Sequence, residues 1–224
     1  MPSIMTAADF GTFTRSIGPN DQINYGLIGC KGMGWSNMSA HLKMPQVNCV
    51  ALCDVDQSVL DQRTEDVFKL RGKRPTQYKD YRKMLENKDI DVVIIGTPDH
   101  WHCLNMVDAV SAGKHVYVEK PIANTIEECQ IMVKAQERYG KIVQVGQWQR
   151  SGSQYDQAIQ YVKSGKLGQI RLVKCWAYQG WMKPVPVVAN SAVPAGVDYN
   201  MWLGPAPKRD FNANRFHFYF MCVG

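Results

Sequence analysis

Residues 23–34 read INYGLIGCKGMG, a short apolar run that leads directly into a glycine-rich turn. Dinucleotide-binding proteins carry Gly-x-Gly-x-x-Gly between their first strand and first helix. Glycine there permits the tight turn, the close approach of a pyrophosphate and the packing of helix on strand. Gly29 and Gly34 fit the first and third places, whereas Lys31 stands in the second. Gly32 is then expected to supply the close approach. Taken alone, the turn is also compatible with an ordinary glycine-rich loop.

An acidic residue at the end of the next apolar run strengthens the dinucleotide interpretation. Asp54 follows the run 47–53 and lies about 20 positions after the glycine-rich turn, where a carboxylate accepts hydrogen bonds from the adenosine ribose hydroxyls. Because a carboxylate at this place repels a 2′-phosphate, NAD is favoured over NADP. The alternative is that Asp54 only caps the turn that it forms with Asp56.

Short apolar runs alternate with longer helical patterns through most of the chain. The run 92–96 (VVIIG) is almost continuously apolar, as is typical of a strand buried on both faces. The alternation predicts βαβ units and the α/β class, with a doubly wound parallel Rossmann sheet whose ligands bind beyond the carboxyl ends of its strands. Strands are predicted at 23–30, 47–53, 92–96, 116–118 and 142–145, and helices at 34–43, 58–70, 81–87, 102–112 and 126–139.

The pattern changes after residue 146. A helix is predicted over 153–164, a half-exposed antiparallel strand over 170–178, and a long irregular loop over 182–209. We therefore divide the chain into an N-terminal extension (1–22), an NAD(P)-binding Rossmann domain (23–148) and an incomplete α+β domain (149–224) that begins an open antiparallel sheet. On this division the chain is expected to be a C-terminally shortened form.

Composition narrows the classes of function. The chain is 45% hydrophobic and 21% charged, with a formal net charge of +6. Its basic residues cluster only at 69–74 (KLRGKR), which does not amount to a nucleic-acid-binding surface. No apolar stretch approaches the ~20 residues that span a bilayer, and residues 1–22 lack the pattern of a signal peptide. Seven cysteines without a Cys-x-x-Cys pair favour a reducing compartment, so a cytoplasmic location is predicted.

A Thr-Pro turn follows the strand predicted at 92–96. Thr97 and Pro98 open the stretch TPDHWH, in which proline prevents continued strand pairing. Two histidines there, His100 and His102, suggest a metal, but without a third ligand nearby no metal site is predicted. His102 is expected either to contact a cofactor or to serve as a structural hydrogen-bonding residue.

Glu119-Lys120-Pro121 follows the apolar run 115–118 and contains the residue most suited to catalysis. A lysine that is partly desolvated beside a positively charged nicotinamide has its pKa lowered, and it then orients a hydroxyl substrate or shares in removing its proton. Glu119 is expected to hold the nicotinamide ribose or to pair with Lys120. The alternative is a surface ion pair at a strand end.

Together these motifs resemble the Gfo/Idh/MocA family, the glucose–fructose oxidoreductase and inositol dehydrogenase group. The resemblance rests on the glycine-rich turn, Asp54, Thr97-Pro98 with His102, Glu119-Lys120-Pro121, SGKLGQI at 164–170 and DYNMWLGPAP at 198–207. It implies a Rossmann domain that binds NAD(P), followed by an open antiparallel sheet that carries the substrate pocket. It also implies hydride transfer at a carbon of a sugar or cyclitol.

The family's functional residues are carried over position by position. Pyrophosphate contacts are implied for Gly29, Gly32, Met33 and Gly34, and an adenosine ribose contact for Asp54. The resemblance implies contacts with the nicotinamide end of the cofactor for five residues: Thr97, Pro98, His102, Glu119 and Lys120. It also places Lys120 at the reacting carbon of the substrate. Gln147 is implied as a further cofactor contact and Arg150 as a substrate contact.

Two departures from the family pattern leave alternatives open. Lys31 in place of the second glycine puts the pyrophosphate geometry in doubt, and the family's later Asp-x-x-x-His constellation does not occur after Lys120. Some relatives cleave glycosidic bonds with transient use of NAD, and because they replace the lysine of the Glu-Lys pair, Lys120 favours the dehydrogenase. A non-catalytic NAD-binding protein is the third possibility. A homo-oligomer is expected if the second domain is complete.

Overall fold

The computed structural model describes residues 21–176 and 185–216. Their centre is a six-stranded, wholly parallel sheet in the order β3-β2-β1-β4-β5-β6. The strands are β1 (Ile23–Ile28), β2 (Val47–Cys53), β3 (Thr76–Tyr78), β4 (Val92–Ile95), β5 (His115–Val118) and β6 (Val143–Val145). Because the strand order reverses between β1 and β4, their carboxyl ends flank the crevice in which such sheets bind ligands.

The helices follow the strands as the alternation predicts. They are α1 (Gly32–His41), α2 (Gln57–Arg71), α3 (Tyr81–Leu85), α4 (His102–Ser111), α5 (Ile126–Tyr139), α6 (Ser153–Lys163) and α7 (Tyr199–Leu203). Short 3₁₀ turns occupy Asp99–Trp101, Trp148–Ser151 and Ala213–Arg215. Local chemistry sets several ends: Thr125 and Glu128 form a capping box at the start of α5, and Gly140 ends it in the left-handed conformation.

Two apolar clusters cover the two faces of the sheet. Along β4, Val93 and Ile95 belong to the cluster that includes residues of α3, α4 and α5, whereas Ile94 belongs to the one that includes residues of α1 and α2. Alternate residues of one strand are therefore buried on opposite sides, which explains its continuous apolar sequence. The α/β Rossmann prediction is confirmed.

Three local expectations differ from the structure. The edge strand β3 was not predicted, since it is only three residues long and carries a single apolar side chain. Residues 170–176 form no strand, because a strand requires a hydrogen-bonded neighbour and none adjoins this segment among the described residues. Leu172 and Val173 are each 73% exposed there. The antiparallel sheet is therefore not formed there, and residues 177–178 lie outside the described ranges.

The third difference is α7, which lies within the predicted irregular loop. The Asp198 side chain accepts a hydrogen bond from Met201 N over 2.9 Å and so caps the helix start. Around α7 a small apolar cluster forms from Tyr199, Leu203, Phe211 and Phe216. The proline-rich segment thus has a packed centre of its own, built mainly from aromatic rings.

The segment at 194–204 packs back onto the Rossmann domain. Val197 forms an antiparallel bridge with Asp56, and Gln57 N donates to Gly196 O over 3.1 Å. The Trp101 indole N–H lies 3.0 Å from Met201 O and 3.1 Å from Trp202 O. These bonds attach the downstream segment to the start of α2 and to the loop after β4.

Within 21–176 and 185–216, no helix combines the length and the apolar character that crossing a bilayer requires.

Candidate functional site

Three glycines allow β1, α1 and β4 to meet at the carboxyl edge of the sheet. Gly29 has φ +82°, and a Cβ added there would lie 2.6 Å from the Gly96 carbonyl carbon. A Cβ at Gly34 would lie 2.0 Å from Gly29 O, and one at Gly96 would lie 2.4 Å from the Gly34 Cα. No larger residue fits at these places. Gly96 was missed in the sequence, although its position between a buried strand and Thr97-Pro98 was a usable signal.

The outer part of the same turn is open. Gly32 has φ +50°, and an added Cβ would meet no atom within 4 Å, so this side is free for a ligand to approach. Lys31 has φ −110° and ψ 169°, an extended backbone that any residue adopts, so lysine at the second fingerprint position is accommodated without strain. Its side chain does not cap α1. With Met33 44% exposed, the N-terminus of α1 fits a phosphate group.

Asp54 directly follows β2 and contacts the glycine-rich turn. Its Oδ2 accepts a hydrogen bond from Cys30 N over 2.7 Å, and its Oδ1 accepts one from Asp56 N over 3.0 Å. Burial raises the pKa of the Asp54 carboxyl, an effect that these N–H donors partly offset. The turn-capping alternative is therefore formed. It does not displace the ribose interpretation, since a carboxylate has about four acceptor sites.

Arg63 binds the carbonyl oxygen of Cys30, the residue whose N–H is bound by Asp54. Its role was not predicted from the sequence. Its Nε donates to Cys30 O over 3.2 Å, and its guanidinium lies 4.6 Å from the centre of the Trp35 ring. An ion pair of 2.7 Å with Asp66 fixes its outer end. The turn is thus held by hydrogen bonds at both the N–H and the C=O of Cys30, from Asp54 and Arg63 respectively. No local sequence signal marked Arg63, because the contact is made only in the folded chain.

The Thr97 turn is fixed from α4. The Thr97 hydroxyl donates to Asn105 Oδ1 over 3.1 Å, and Thr97 O lies 2.9 Å from His102 Nε2. His102 Nδ1 lies 2.6 Å from Pro121 O. Because His102 is 1% exposed and both ring nitrogens face backbone carbonyls, it fits the structural alternative: it joins the turn after β4 to the turn after β5. Pro98 is half-buried beside it.

Glu119 is the buried acid of the site. It is 4% exposed, and its Oε1 accepts a hydrogen bond from Asn37 Nδ2 over 2.8 Å. Its Oε2 accepts one from the backbone N of Lys120 over 3.1 Å. A Cβ at Gly146 would lie 2.8 Å from Glu119 Oε1. Asn37 and Gly146 therefore define the position of this carboxylate, and neither was identified from the sequence.

Lys120 is exposed at the carboxyl end of β5, next to a cis Lys120–Pro121 peptide bond. The ion pairs found within the described ranges do not include it. The contact with Glu119 is made through the Lys120 backbone N–H and not through an ion pair of its ammonium group.

Gln147 and Arg150 follow β6 and are both exposed. Gln147 directly precedes the 3₁₀ turn Trp148–Ser151, and Arg150 lies within it. They lie at the same edge of the sheet as Lys120, because parallel strands end together.

The two histidines of the TPDHWH stretch both lie against backbone carbonyls. His100 Nε2 lies 2.9 Å from Trp202 O, burial lowers the pKa of His100, and His102 is engaged as described. No group of three or more potential metal ligands occurs in the parts of the chain that the structure describes.

Comparisons with known proteins agree with this fold. Residues 23–147 match the family model GFO_IDH_MocA, described as an oxidoreductase family with an NAD-binding Rossmann fold. Residues 170–223 match the C-terminal alpha/beta domain of the same oxidoreductase family.

Individual relatives include enzymes of two kinds. The chain is 32% identical over 152 residues to an alpha-N-acetylgalactosaminidase of Shewanella oneidensis, a match that covers 66% of this chain and 33% of that protein. The crystal structure of scyllo-inositol dehydrogenase from Lactobacillus casei with bound NAD(H) and scyllo-inositol is 27% identical, with TM-score 0.59, and covers 66% of this chain and 42% of that one. Myo-inositol 2-dehydrogenase from Lactobacillus plantarum is 27% identical, with TM-score 0.58, over 66% of this chain and 43% of that one.

The match to the curated relatives spans about a third of their length. The family model's match over residues 23–147 includes the glycine-rich turn, the acidic residue after β2 and the Glu-Lys-Pro turn, which lie on a sheet of Rossmann order. The chain belongs to the Gfo/Idh/MocA oxidoreductase family and carries the NAD-binding Rossmann domain of that family.

Proposed function

We propose that this chain binds NAD for hydride transfer between the nicotinamide and a hydroxyl or carbonyl carbon of a sugar or cyclitol. The observation that carries the proposal is the position of Lys120. It is exposed at the end of β5, and its neighbour Pro121 is joined through His102 to Thr97. An ammonium group that forms no ion pair with residues 21–176 or 185–216 therefore lies beside the edge of the sheet that fits a dinucleotide.

We assign the cofactor contacts along that edge. The pyrophosphate lies at Gly29, Gly32, Met33 and Gly34, and the adenosine ribose at Asp54. Thr97 and Pro98 line the nicotinamide, Glu119 lies at its ribose, and Gln147 adds a contact from the end of β6. NAD is preferred over NADP, because an ionised Asp54 repels a 2′-phosphate. We place the boundary between the cofactor domain and the second domain near residue 148.

The bound cofactor supplies the acceptor for the hydride. Lys120 Nζ forms a hydrogen bond with the substrate hydroxyl, holds it at the carboxyl end of β5 and shares in moving the hydroxyl proton as the carbonyl forms. In the reverse direction the ammonium group donates to the carbonyl oxygen and returns the proton. Since Lys120 is exposed, its proton then exchanges with solvent. Arg150 binds substrate hydroxyls from the neighbouring turn.

The second candidate is a glycosidase of the same family. The similarity to an alpha-N-acetylgalactosaminidase and to glycosyl hydrolase family 109 proteins favours it. Lys120 favours the dehydrogenase, because the family's glycosidases replace the lysine of the Glu-Lys pair.

Two assays on the purified chain separate these functions. NADH formation is followed with NAD and a panel of cyclitols and free sugars, and release of a chromophore is followed from an aryl N-acetylgalactosaminide. NADH formation that Lys120→Met abolishes supports the dehydrogenase. Chromophore release without net NADH supports the glycosidase. If the chain binds NAD and does neither, it acts as a binding protein.

A further inference from the structure

We propose that Asn105, on α4, is a positioning residue that sets the orientation of the Thr97 hydroxyl at the nicotinamide end of the site. The inference rests on the proposed NAD-binding function and adds a residue to it.

The hydrogen bond between the two side chains is directional. Thr97 Oγ1 donates to Asn105 Oδ1 over 3.1 Å, so the hydroxyl proton is used inside the protein. Its lone pairs then remain as acceptors on the other side of Thr97, which is only half-buried. An acceptor in that position suits a ligand N–H donor, such as the carboxamide of the nicotinamide.

Asn105 is poorly explained by stability alone. It is 1% exposed, and its amide nitrogen Nδ2 has no hydrogen-bond partner within the described ranges. A buried donor without a partner destabilises a fold. Trp101 and Ala109, one turn before and one turn after Asn105, pack in the apolar core, so a leucine or methionine at position 105 would suit this environment better. An unmatched polar group that contacts a proposed cofactor residue points to function.

The same helix fixes the backbone of Thr97. His102, one turn before Asn105 on α4, lies with Nε2 2.9 Å from Thr97 O. Thr97 is therefore held at its carbonyl and its hydroxyl by two buried side chains of one rigid element. On the other side, the preceding Gly96 is packed against Gly34 and Gly29. Once the Thr97 backbone is fixed, the hydroxyl group can still rotate. The hydrogen bond to Asn105 fixes the direction of its proton.

The test compares two ligands that share the adenosine end. Dissociation constants for NADH and for ADP-ribose, which lacks the nicotinamide, are measured with the unsubstituted chain and with Asn105→Leu. We expect NADH to bind about three to ten times more weakly to Asn105→Leu, the range that corresponds to the loss of one hydrogen bond. ADP-ribose binding should be unchanged, and the thermal unfolding temperature should not fall.

Thr97 variants test the same bond from its other end. Thr97→Val removes the hydroxyl and should reproduce the selective loss of NADH binding, whereas Thr97→Ser keeps the hydroxyl and should restore it. In the Thr97→Val background, Asn105→Leu should cause no further loss, because its effect is transmitted through that hydroxyl. If Asn105→Leu does not fold, Asn105→Ala, which also removes the acceptor oxygen, takes its place in the comparison of NADH with ADP-ribose.

Each outcome bears on one proposal. Equal weakening of NADH and ADP-ribose, or a fall in unfolding temperature with Asn105→Leu, would show a structural role and overturn the inference. Unchanged NADH binding in Asn105→Leu or in Thr97→Val would also overturn it while leaving the proposed function standing. If the unsubstituted chain binds neither ligand, the proposed NAD site is wrong and the inference is wrong with it.

Discussion

The Cys30 backbone N–H donates a hydrogen bond to Asp54 Oδ2 over 2.7 Å. Asp54 therefore anchors the glycine-rich turn in addition to any role in binding a ribose. Its other oxygen accepts from Asp56 N, so one side chain joins the turn after β1 to the turn after β2. Turn geometry and cofactor preference are consequently linked through a single carboxylate.

The first prediction separates these two roles of Asp54. Asp54→Asn keeps one acceptor oxygen and removes the charge, so we expect a modest loss of stability and a shift in binding from NAD towards NADP. Asp54→Ala leaves two backbone donors without their partner and should lower the free energy of unfolding by about 1–3 kcal/mol. Denaturant unfolding and cofactor titrations measure both effects. Equal stability of Asp54→Ala and the unsubstituted chain would contradict the anchoring role.

The second prediction follows from the raised pKa of Asp54. Because burial raises it, the folded chain binds this proton more readily than the unfolded chain does. The group's contribution to stability therefore increases as the pH falls through its folded pKa. Discrimination against NADP should weaken over the same range, at a higher pH than for an exposed aspartate. The ratio of NADP to NAD dissociation constants measures this.

Asp54→Asn provides the control for that titration. The 2′-phosphate of NADP also titrates near pH ~6, so part of any change belongs to the ligand. Only the part that disappears in Asp54→Asn belongs to the carboxyl. Identical profiles for the two proteins would contradict the prediction.

The third prediction concerns the position of the Glu119 carboxylate. In Gly146→Ala the new methyl group would lie 2.8 Å from Glu119 Oε1 and should push the carboxylate away from Asn37. We expect a loss of about 1–3 kcal/mol in the free energy of unfolding together with weaker NADH binding. Gly152→Ala is the matched control, because its methyl group meets only the flexible end of the Gln154 side chain. Similar losses in both variants would argue against a specific role of Glu119.

The fourth prediction concerns the contact between Gly204 and Trp101. Gly204 has φ +50°, and a Cβ there would lie 2.1 Å from Trp101 Cζ2, so Gly204→Ala should detach the segment at 194–204 from the Rossmann domain. Hydrogen exchange of residues 194–204 should rise. Gly165→Ala shares a positive φ of +75° but meets no atom within 4 Å, and it should leave exchange of that segment unchanged. Protection that persists in Gly204→Ala would contradict the contact.

The sequence predicted the elements that local chemistry dictates. The strands around 92–95 and 47–53 are apolar because the sheet buries both of their faces, and glycines mark the turn that their packing requires. Apart from the strand predicted at 170–178, the bounds of the predicted strands and helices agree with the structure within two residues at each end. The prediction of a strand at 170–178 was wrong for residues 170–176. Their local pattern suits a strand, but no described segment pairs with them.

The site residues that were missed act over long sequence separations. Asn37 and Glu119 are 82 positions apart, and Arg63 and Cys30 are 33 apart. A polar residue on a helix reads the same in the sequence whether it faces solvent or a buried carboxylate. Motifs therefore identified groups that can touch a ligand, whereas the side chains that hold those groups became visible only with the fold.

The bridge between Asp56 and Val197 has a consequence for synthesis. When the ribosome has released the last strand of the sheet, the backbone N–H of Gln57 and the indole N–H of Trp101 still await carbonyl partners from Gly196, Met201 and Trp202. The nascent Rossmann domain thus emerges with a patch of its surface open. Translation of the segment at 194–204 supplies these carbonyls and covers that patch.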